Sequence, residues 1–138
     1  EGVLDGSVDA IVTDHAPHAD WEKAREFELA PFGMIGIEAS LALINTNLVK
    51  TGKMGYGKLV ELMSINPRKI LGVEPVSIEA GSLADITVFD PEQVRDLSEY
   101  TDSVKKPAGI RHVLVGGTFA LKDGAATGSR TGTVLKKG

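Results

Sequence analysis

The spacing of apolar residues changes along the first half of the chain, from a continuous run to a helical repeat. Residues 8–13 form a short, largely apolar run bounded by Gly6-Ser7, which predicts a buried β-strand. Residues 19–31 are mostly charged and predict a long loop with at most one helical turn. From residue 37, apolar residues recur every three or four positions and predict a helix that ends at Thr51-Gly52. The recurring residues are Ile37, Leu41, Ile44 and Leu48.

Two shorter helices are predicted after that one. Residues 57–64 contain closely spaced apolar residues, and Asn66-Pro67 then marks the start of the next helix. Asparagine is a favoured N-cap and proline a favoured first helical residue, so we expect Asn66 to cap this helix and Gly72 to end it. Residues 1–73 therefore predict one strand followed by helices.

The second half of the chain has the pattern of β-strands. Residues 84–90 alternate between apolar and polar positions until Pro91 interrupts them. The pair Gly116-Gly117 separates two further apolar runs and predicts a two-residue hairpin turn. Residues 92–108 and the tail from Asp123 are polar or rich in glycine, and they predict loops. The runs on either side of the glycine pair are Ile110–Val115 and Thr118–Lys122.

Composition narrows the classes of function. With 138 residues, 42% hydrophobic and 25% charged, the chain fits one ordinary globular unit. A net charge of −4 argues against a nucleic-acid partner, and no apolar run approaches the roughly 18 residues of a membrane span. The absence of cysteine excludes disulfides and thiolate metal ligands, and it fits a cytoplasmic location. Because Glu1 rather than methionine begins the chain, we expect a piece of a longer protein.

The candidate chemistry lies in residues 13–18, Thr-Asp-His-Ala-Pro-His, directly after the first predicted strand. Ligands and metals collect at the carboxyl ends of strands in parallel sheets and β/α barrels. Asp14 is either a turn-capping residue or a metal-held carboxylate that takes a proton from an attacking water. For His18, which follows the rigid Pro17, the alternatives are a solvated loop histidine and an imidazole that binds an anionic substrate. The same alternatives apply to His15.

Phe32-Gly33 ends the charged loop and is a second candidate. It is either the anchored end of a loop or a place where glycine lets the main chain approach a small substrate closely. The sequence leaves both interpretations open.

Four segments of the chain, in this order, resemble bacterial-type dihydroorotases of the amidohydrolase superfamily. The first is similar to the signature near the end of the family's barrel, and the second to its substrate loop. The third resembles the segment written Asn-Pro-Ala-x-x-x-Gly, and the fourth a strand found across amidohydrolases. The segments are Thr13–His18, Ala30–Gly33 followed by Gly36–Glu38, Asn66–Gly72, and Gly81–Asp90.

The resemblance implies an α/β fold, a metal-dependent hydrolase (β/α)8 barrel with a small β-sandwich. In that architecture, residues 1–73 would supply the last barrel strand, active-site loops and helices, and residues 74–138 the C-terminal sandwich strands and tail. Because Val8–Thr13 and Ile86–Phe89 would then lack partner strands in the isolated chain, and unpaired edges promote association, we expect dimers or swapped sheets.

The resemblance also implies the roles of individual residues. Asp14 would be a zinc ligand and the general base and acid, His18 would bind substrate, and Phe32 with Gly33 would contact substrate through the main chain. The family's reaction reversibly closes N-carbamoyl-L-aspartate into L-dihydroorotate, a step of pyrimidine biosynthesis, with a binuclear zinc site. A small-molecule substrate and a homo-oligomer are therefore the implied partners, with neither nucleic acid nor membrane.

Two departures from the family keep other functions open. The family's remaining metal ligands are absent from this chain, so we expect the polypeptide to be inactive by itself. The ending, residues 124–135, looks more like that of D-aminoacylases. The alternatives are therefore a hydantoinase, an allantoinase or a D-aminoacylase-like enzyme, and a noncatalytic amidohydrolase-like structural partner.

Overall fold

The computed structural model describes residues 1–99 and 102–134, with short helices in the first half and a four-stranded antiparallel sheet in the second. Positions 100 and 101 of the predicted loop and the end of the predicted tail, 135–138, lie outside the described residues. No described helix combines the length and apolar character needed to cross a membrane. The helices are α1 (Gly2–Asp5), α2 (Asp20–Lys23), α3 (Ser40–Ile44), α4 (Tyr56–Val60) and α5 (Asn66–Leu71), and the strands are β1 (Ile86–Phe89), β2 (Ile110–Val115), β3 (Thr118–Lys122) and β4 (Ala125–Ala126).

Two of the helices continue as π-helix, α3 into Asn45–Val49 and α4 into Glu61–Ile65. The helix predicted from residue 37 is therefore confirmed, although it begins at Ser40. Helix α2 is the single helical turn expected within the charged loop. Helix α1 is not evident from the sequence, because its four residues are too few to establish an apolar repeat.

The predicted role of Asn66 as an N-cap is wrong. Asn66 has helical backbone angles, φ −67° and ψ −43°, and its N–H donates to the carbonyl of Glu61, so the helix runs unbroken into α5. Pro67 has no N–H with which to continue this pattern, so the carbonyl of Leu62 is left without its helical donor. The N–H of Ile11 donates to that carbonyl instead, at 2.9 Å.

The strand predicted over residues 8–13 is also wrong, since no described segment forms a β-ladder with it. The segment lies along the helix instead, and the side-chain amide of Asn66 donates to the carbonyl of Asp9 at 2.8 Å. A strand needs a neighbouring strand to pair its regularly spaced N–H and C=O groups, whereas a helix offers only isolated ones. The predicted burial fails as well, because Val12 is 77% exposed.

The main apolar cluster lies between the helices. Leu62 is fully buried, and Leu59 and Met54 are nearly so. Part of the predicted helical repeat faces this cluster, but Ile37 at its start is 60% exposed. The apolar core therefore contains few fully buried side chains. The partly buried residues packed around it are Val3, Ile11, Leu41, Ile44, Leu48, Val49 and Met63.

The sheet is a meander in which each strand pairs with the next along the chain. The predicted hairpin is confirmed, and Gly116 and Gly117 have φ values of 56° and 78°, the positive angles that a type I′ turn requires. Strand β1 pairs with β2, so the expectation that Ile86–Phe89 lacks a partner is wrong. Strand β4 extends the sheet into the tail, where the sequence predicts no strand.

A buried polar contact joins the helical half of the chain to the end of β1. Asn45 is fully buried, and its side-chain amide donates to the carbonyl of Pro91 at 3.1 Å. The hydroxyl of Tyr56 donates to the side-chain oxygen of Asn45 at 2.8 Å. The Tyr56 ring also packs against Phe89, with ring centroids 6.1 Å apart. The two halves are thus fixed to each other by paired polar groups as well as by apolar contact.

Replacing Tyr56 with Phe is expected to lower the free energy of unfolding by about 1 to 3 kcal/mol, because it leaves the buried Asn45 oxygen without its donor. Urea denaturation of the two proteins measures the difference. Thr87→Val is the control, since Thr87 is an exposed residue whose hydroxyl has no partner among the described residues. Equal losses in the two variants would contradict this account of Tyr56.

Candidate functional site

The segment that carries the predicted chemistry, residues 13–18, lies beside the turn formed by residues 31–37. His15 and Met34 form a parallel bridge, and the N–H of Ala16 donates to the carbonyl of Met34 at 3.0 Å. We call these two stretches the motif segment and the substrate turn. The structure thus brings together the first two segments of the family resemblance.

His15 holds the substrate turn through one ring nitrogen. Its Nδ1 accepts the N–H of Gly36 at 3.0 Å and that of Ile37 at 3.4 Å. A nitrogen that accepts cannot carry a proton, so the proton of this neutral imidazole lies on Nε2. Of the two alternatives weighed for His15, solvated or functional, neither anticipates this contact, because its partners are main-chain groups that a sequence pattern does not reveal.

His18 faces the same turn. Its Nε2 lies 2.7 Å from the carbonyl oxygen of Phe32, and because a carbonyl only accepts, Nε2 is the donor. The other ring nitrogen, Nδ1, lies 3.8 Å from a carboxylate oxygen of Glu22. That oxygen also accepts the N–H of Ala19 at 2.8 Å, which ties it to the first turn of α2. The imidazole is therefore held between the substrate turn and α2.

Lys23, the last residue of α2, contacts the substrate turn as well. Its Nζ donates to the carbonyl of Pro31 at 2.9 Å and to that of Gly33 at 2.6 Å. Together with the bond from His18 to Phe32, three successive carbonyls accept hydrogen bonds from side chains of residues 18–23. No pattern in the sequence marks Lys23, because its partners are carbonyls, which every residue carries.

Gly33 is required by packing against the motif segment. Its φ is 123°, in the left-handed half of conformational space that side chains rarely adopt. A Cβ at this position would lie 2.7 Å from the Cβ of Ala16 and 2.8 Å from its carbonyl oxygen. The side chain of the preceding residue, Phe32, is 94% exposed. The turn therefore meets the motif segment through its main chain.

Asp14 stands apart from these contacts. It is exposed, and within residues 1–99 and 102–134 its carboxylate has no hydrogen-bond or ion-pair partner. The catalytic role of Asp14 and the substrate-binding roles of His18, Phe32 and Gly33 remain predictions, while the contact of His18 with the turn is present.

The described residues do not form a metal site by themselves. Among them, no three His, Cys, Asp or Glu side chains are grouped closely enough to hold a metal ion. Zinc sites in proteins use three or four protein ligands, so Asp14 fits a metal only as one ligand of a larger set. A zinc pair does not fit the part of the chain that the structure describes.

The sequence that forms this site and sheet matches the model of a known family. The chain belongs to the amidohydrolase family, whose model matches residues 1–120. The resemblance drawn from the four sequence segments is thereby confirmed.

Among curated relatives the chain is similar to dihydroorotases. It is 45% identical over 105 residues to the dihydroorotase of Pelotomaculum thermopropionicum. The match covers 76% of this chain and 24% of the relative. It is 42% identical over 134 residues to the dihydroorotase of Elusimicrobium minutum, and the match covers 90% of this chain and 31% of the relative. It is 50% identical over 93 residues to the dihydroorotase of Clostridioides difficile, and the match covers 67% of this chain and 22% of the relative. The chain therefore spans less than a third of the length of each of these relatives.

Among solved structures the chain is similar to hydantoinases. A D-hydantoinase (dihydropyrimidinase) from Thermus sp. superimposes with a TM-score of 0.76 at 27% identity, over 93% of this chain and 31% of that one. A D-hydantoinase from a Bacillus sp. gives a TM-score of 0.76 at 25% identity, over 91% and 31%. The arrangement of helices and sheet described above therefore recurs as one part of larger enzymes.

Proposed function

We propose that this chain is part of a metal-dependent cyclic amide hydrolase that interconverts L-dihydroorotate and N-carbamoyl-L-aspartate. The observation that carries the proposal is the contact between the motif segment and the substrate turn, where His18 donates to the Phe32 carbonyl at 2.7 Å. The identities of 42% to 50% with dihydroorotases support this choice of substrate. The proposal concerns the whole protein, of which these residues are the part that positions Asp14.

In the proposed reaction Asp14 is the general base and then the general acid. Its carboxylate accepts a proton from the water that attacks the ring amide carbon. It returns that proton to the ring nitrogen as the carbon–nitrogen bond breaks, so that water is added across the bond and the ring opens. An exposed carboxylate without a protein donor suits this role, because one oxygen can bind the metal while the other meets the reacting water.

The substrate turn would bind the negatively charged end of the substrate through its main chain. The carbonyls of Phe32 and Gly33 already accept bonds from His18 and Lys23, whereas their N–H groups have no acceptor among the described residues. We assign a substrate contact to His18 as well, because its imidazole lies against the turn and donates to the Phe32 carbonyl. These roles follow the family resemblance, and the geometry is compatible with them.

Zinc belongs to the proposal as the cofactor that the family implies. Asp14 is the residue of this chain that would bind it, and the other ligands would come from residues outside the described set. Bound zinc would polarise the amide carbonyl.

The proposal also places residues 1–73 at the end of a (β/α)8 barrel and residues 74–138 in a small β-sandwich. The exposure of Val12, Phe32 and Met34, at 77%, 94% and 75%, supports a larger assembly, because apolar groups clustered at a surface commonly mark contacts with other protein. A homo-oligomer and a cytoplasmic location complete the proposal, and the absence of cysteine fits that location.

A hydantoinase is the second candidate, favoured by the structural similarity at a TM-score of 0.76. Both reactions open a cyclic amide, so Asp14 would have the same role in each. The two candidates differ in the group that the substrate turn would meet. Dihydroorotate carries a carboxylate on its ring, and main-chain N–H groups suit an anion better than the uncharged substituents of most hydantoins.

A chimera tests the proposed function. The aligned segment of this chain replaces the matching segment of the Elusimicrobium minutum dihydroorotase, to which it is 42% identical over 134 residues. We expect the chimera to hydrolyse L-dihydroorotate faster than dihydrouracil or a hydantoin, as followed by the loss of ring absorbance. Preference for the hydantoin would favour the second candidate, and a folded but inactive chimera would favour a noncatalytic partner.

The isolated 138-residue chain is expected to show no turnover of dihydroorotate and to retain no stoichiometric zinc after dialysis, because its described residues do not form a metal site. Metal analysis and the same assay measure both quantities. The chimera is the positive control. If the isolated chain still turned over dihydroorotate after repurification, the expectation that activity requires metal ligands from outside the described residues would be wrong.

A further inference from the structure

The substrate turn is held from outside by a side chain to which the family resemblance gives no role. Lys23 is the C-terminal residue of α2, and its Nζ donates to the carbonyls of Pro31 and Gly33 at 2.9 and 2.6 Å. These two carbonyls lie on either side of Phe32, whose own carbonyl accepts from His18 at 2.7 Å. One ammonium group thus bridges the turn on both sides of the residue predicted to contact substrate.

This arrangement suits a charged side chain that only donates hydrogen bonds. An ammonium group has three donors and no acceptor, so it can bind two carbonyls at once and leaves no lone pair facing them. Bonds with a charged donor are shorter and stronger than bonds between neutral groups. Near Lys23, no main-chain N–H among the described residues donates to the carbonyls of Pro31, Phe32 and Gly33. The carbonyls therefore depend on side-chain donors.

The bonds fix which side of the turn faces outward. With three successive carbonyls directed at residues 18–23, the N–H groups of Phe32 and Gly33 have no acceptor among the described residues. Successive peptide N–H groups in a turn can form an anion-binding concavity, and these two are available for that role. If the carbonyls lost these hydrogen bonds, the peptide planes could rotate, and the N–H groups would no longer form that surface.

We propose that Lys23 is a positioning residue, which clamps the carbonyls of Pro31 and Gly33 so that the main-chain N–H groups of the substrate turn are presented to the carboxylate of the substrate. The proposal rests on the proposed function for the identity of the ligand. The clamp itself rests on the two hydrogen bonds of Lys23 alone.

The first test uses the full 138-residue chain and no substrate. Lys23→Met keeps the length of the side chain and removes its donors, Lys23→Arg keeps donors, and Lys53→Met is the control at an exposed lysine without a partner among the described residues. We expect the amides of Ala16 and Gly36, which bond across the two segments, to exchange hydrogen about tenfold faster in Lys23→Met.

Cleavage by chymotrypsin after Phe32, whose side chain is 94% exposed, should accelerate in parallel with exchange. The Lys23→Arg and Lys53→Met chains should match the parent chain in both measurements. Unchanged exchange and cleavage in Lys23→Met would overturn the clamp. Equal acceleration in Lys53→Met would overturn it as well, because the effect would then not depend on these two bonds.

The second test measures catalysis in the chimera. Lys23→Met should raise KM for dihydroorotate about tenfold and change kcat much less, because the residue orients a binding surface and touches no reacting atom. Lys23→Arg should restore most of the affinity. Faster exchange together with an unchanged KM would overturn the positioning role. An inactive parent chimera would count against the proposed function instead, and the exchange experiment would still decide the clamp.

Discussion

Replacing Asp14 with Asn is expected to lower kcat for dihydroorotate hydrolysis by about 10²- to 10⁴-fold, the typical contribution of a positioned general base. The amide has nearly the shape of the carboxylate but cannot accept the proton of the attacking water. Because Asp14 is exposed and has no partner among the described residues, the substitution breaks no hydrogen bond that holds the fold. The free energy of unfolding should therefore stay the same while turnover falls.

Asp9→Asn is the matched control for Asp14→Asn. Asp9 is exposed, lies on the same stretch of chain and loses the same charge, and its contact with Asn66 uses the main-chain carbonyl, which the substitution leaves in place. Steady-state kinetics of the two variants in the chimera separate a proton-transfer role from a general effect of charge. Equal rates for Asp14→Asn and the parent would remove Asp14 from the mechanism, and with it the main chemical argument for an enzyme.

The sequence predicts the elements of this chain whose stabilising contacts are local. The helix from residue 37, the end of α5 at Gly72, and the hairpin at Gly116-Gly117 all follow from periodicity or from glycines at left-handed positions. Their hydrogen bonds join residues that are near in sequence, so local pattern and structure agree. The alternation that becomes β1 is found as well, although its partner strand β2 begins only at Ile110, because alternation is itself a local pattern.

The failures occur where a segment's partners are distant in sequence. Residues 8–13 have the composition of a strand, yet their N–H and C=O groups meet a helix at Leu62 and Asn66. Asn66 itself has the signature of an N-cap, but the helix before it continues because Pro67 can sit where a π-helical turn leaves a carbonyl for another donor. Asn66-Pro67 thus holds residues 8–13, which lead to Asp14, against the helix.

In the candidate site, too, some features can be predicted from the sequence and others cannot. Its side chains with recognisable chemistry, Asp14 and His18, stand out in the sequence, and so does the turn at Phe32-Gly33. The groups that hold the turn do not, because Lys23 binds carbonyls. Residue type predicts which atoms can react, whereas the contacts that orient them depend on main-chain atoms brought close by the fold.

Replacing Gly33 with Ala tests whether that orientation matters for binding. The substitution combines a backbone angle unfavourable to side chains, φ 123°, with a Cβ only 2.7 Å from the Cβ of Ala16 and 2.8 Å from its carbonyl oxygen. Backbone strain and overpacking each cost about 1 to 3 kcal/mol, whereas one surface hydrogen bond returns only about 0.5 to 1.5 kcal/mol, so the substitution offsets several of the bonds that hold the turn. The substrate turn should therefore move away from the motif segment.

We expect Gly33→Ala to raise KM for dihydroorotate in the chimera by at least about tenfold, equivalent to about 1.4 kcal/mol of lost binding. Gly52→Ala is the control for strain alone, because Gly52 has a φ of 71° but nothing within 4 Å of the added Cβ. It should weaken the fold slightly and leave KM unchanged. Substrate affinity retained in Gly33→Ala would mean that close packing of the turn on Ala16 is not what places the binding groups, and Phe32-Gly33 would then be an anchored loop end rather than part of a substrate site.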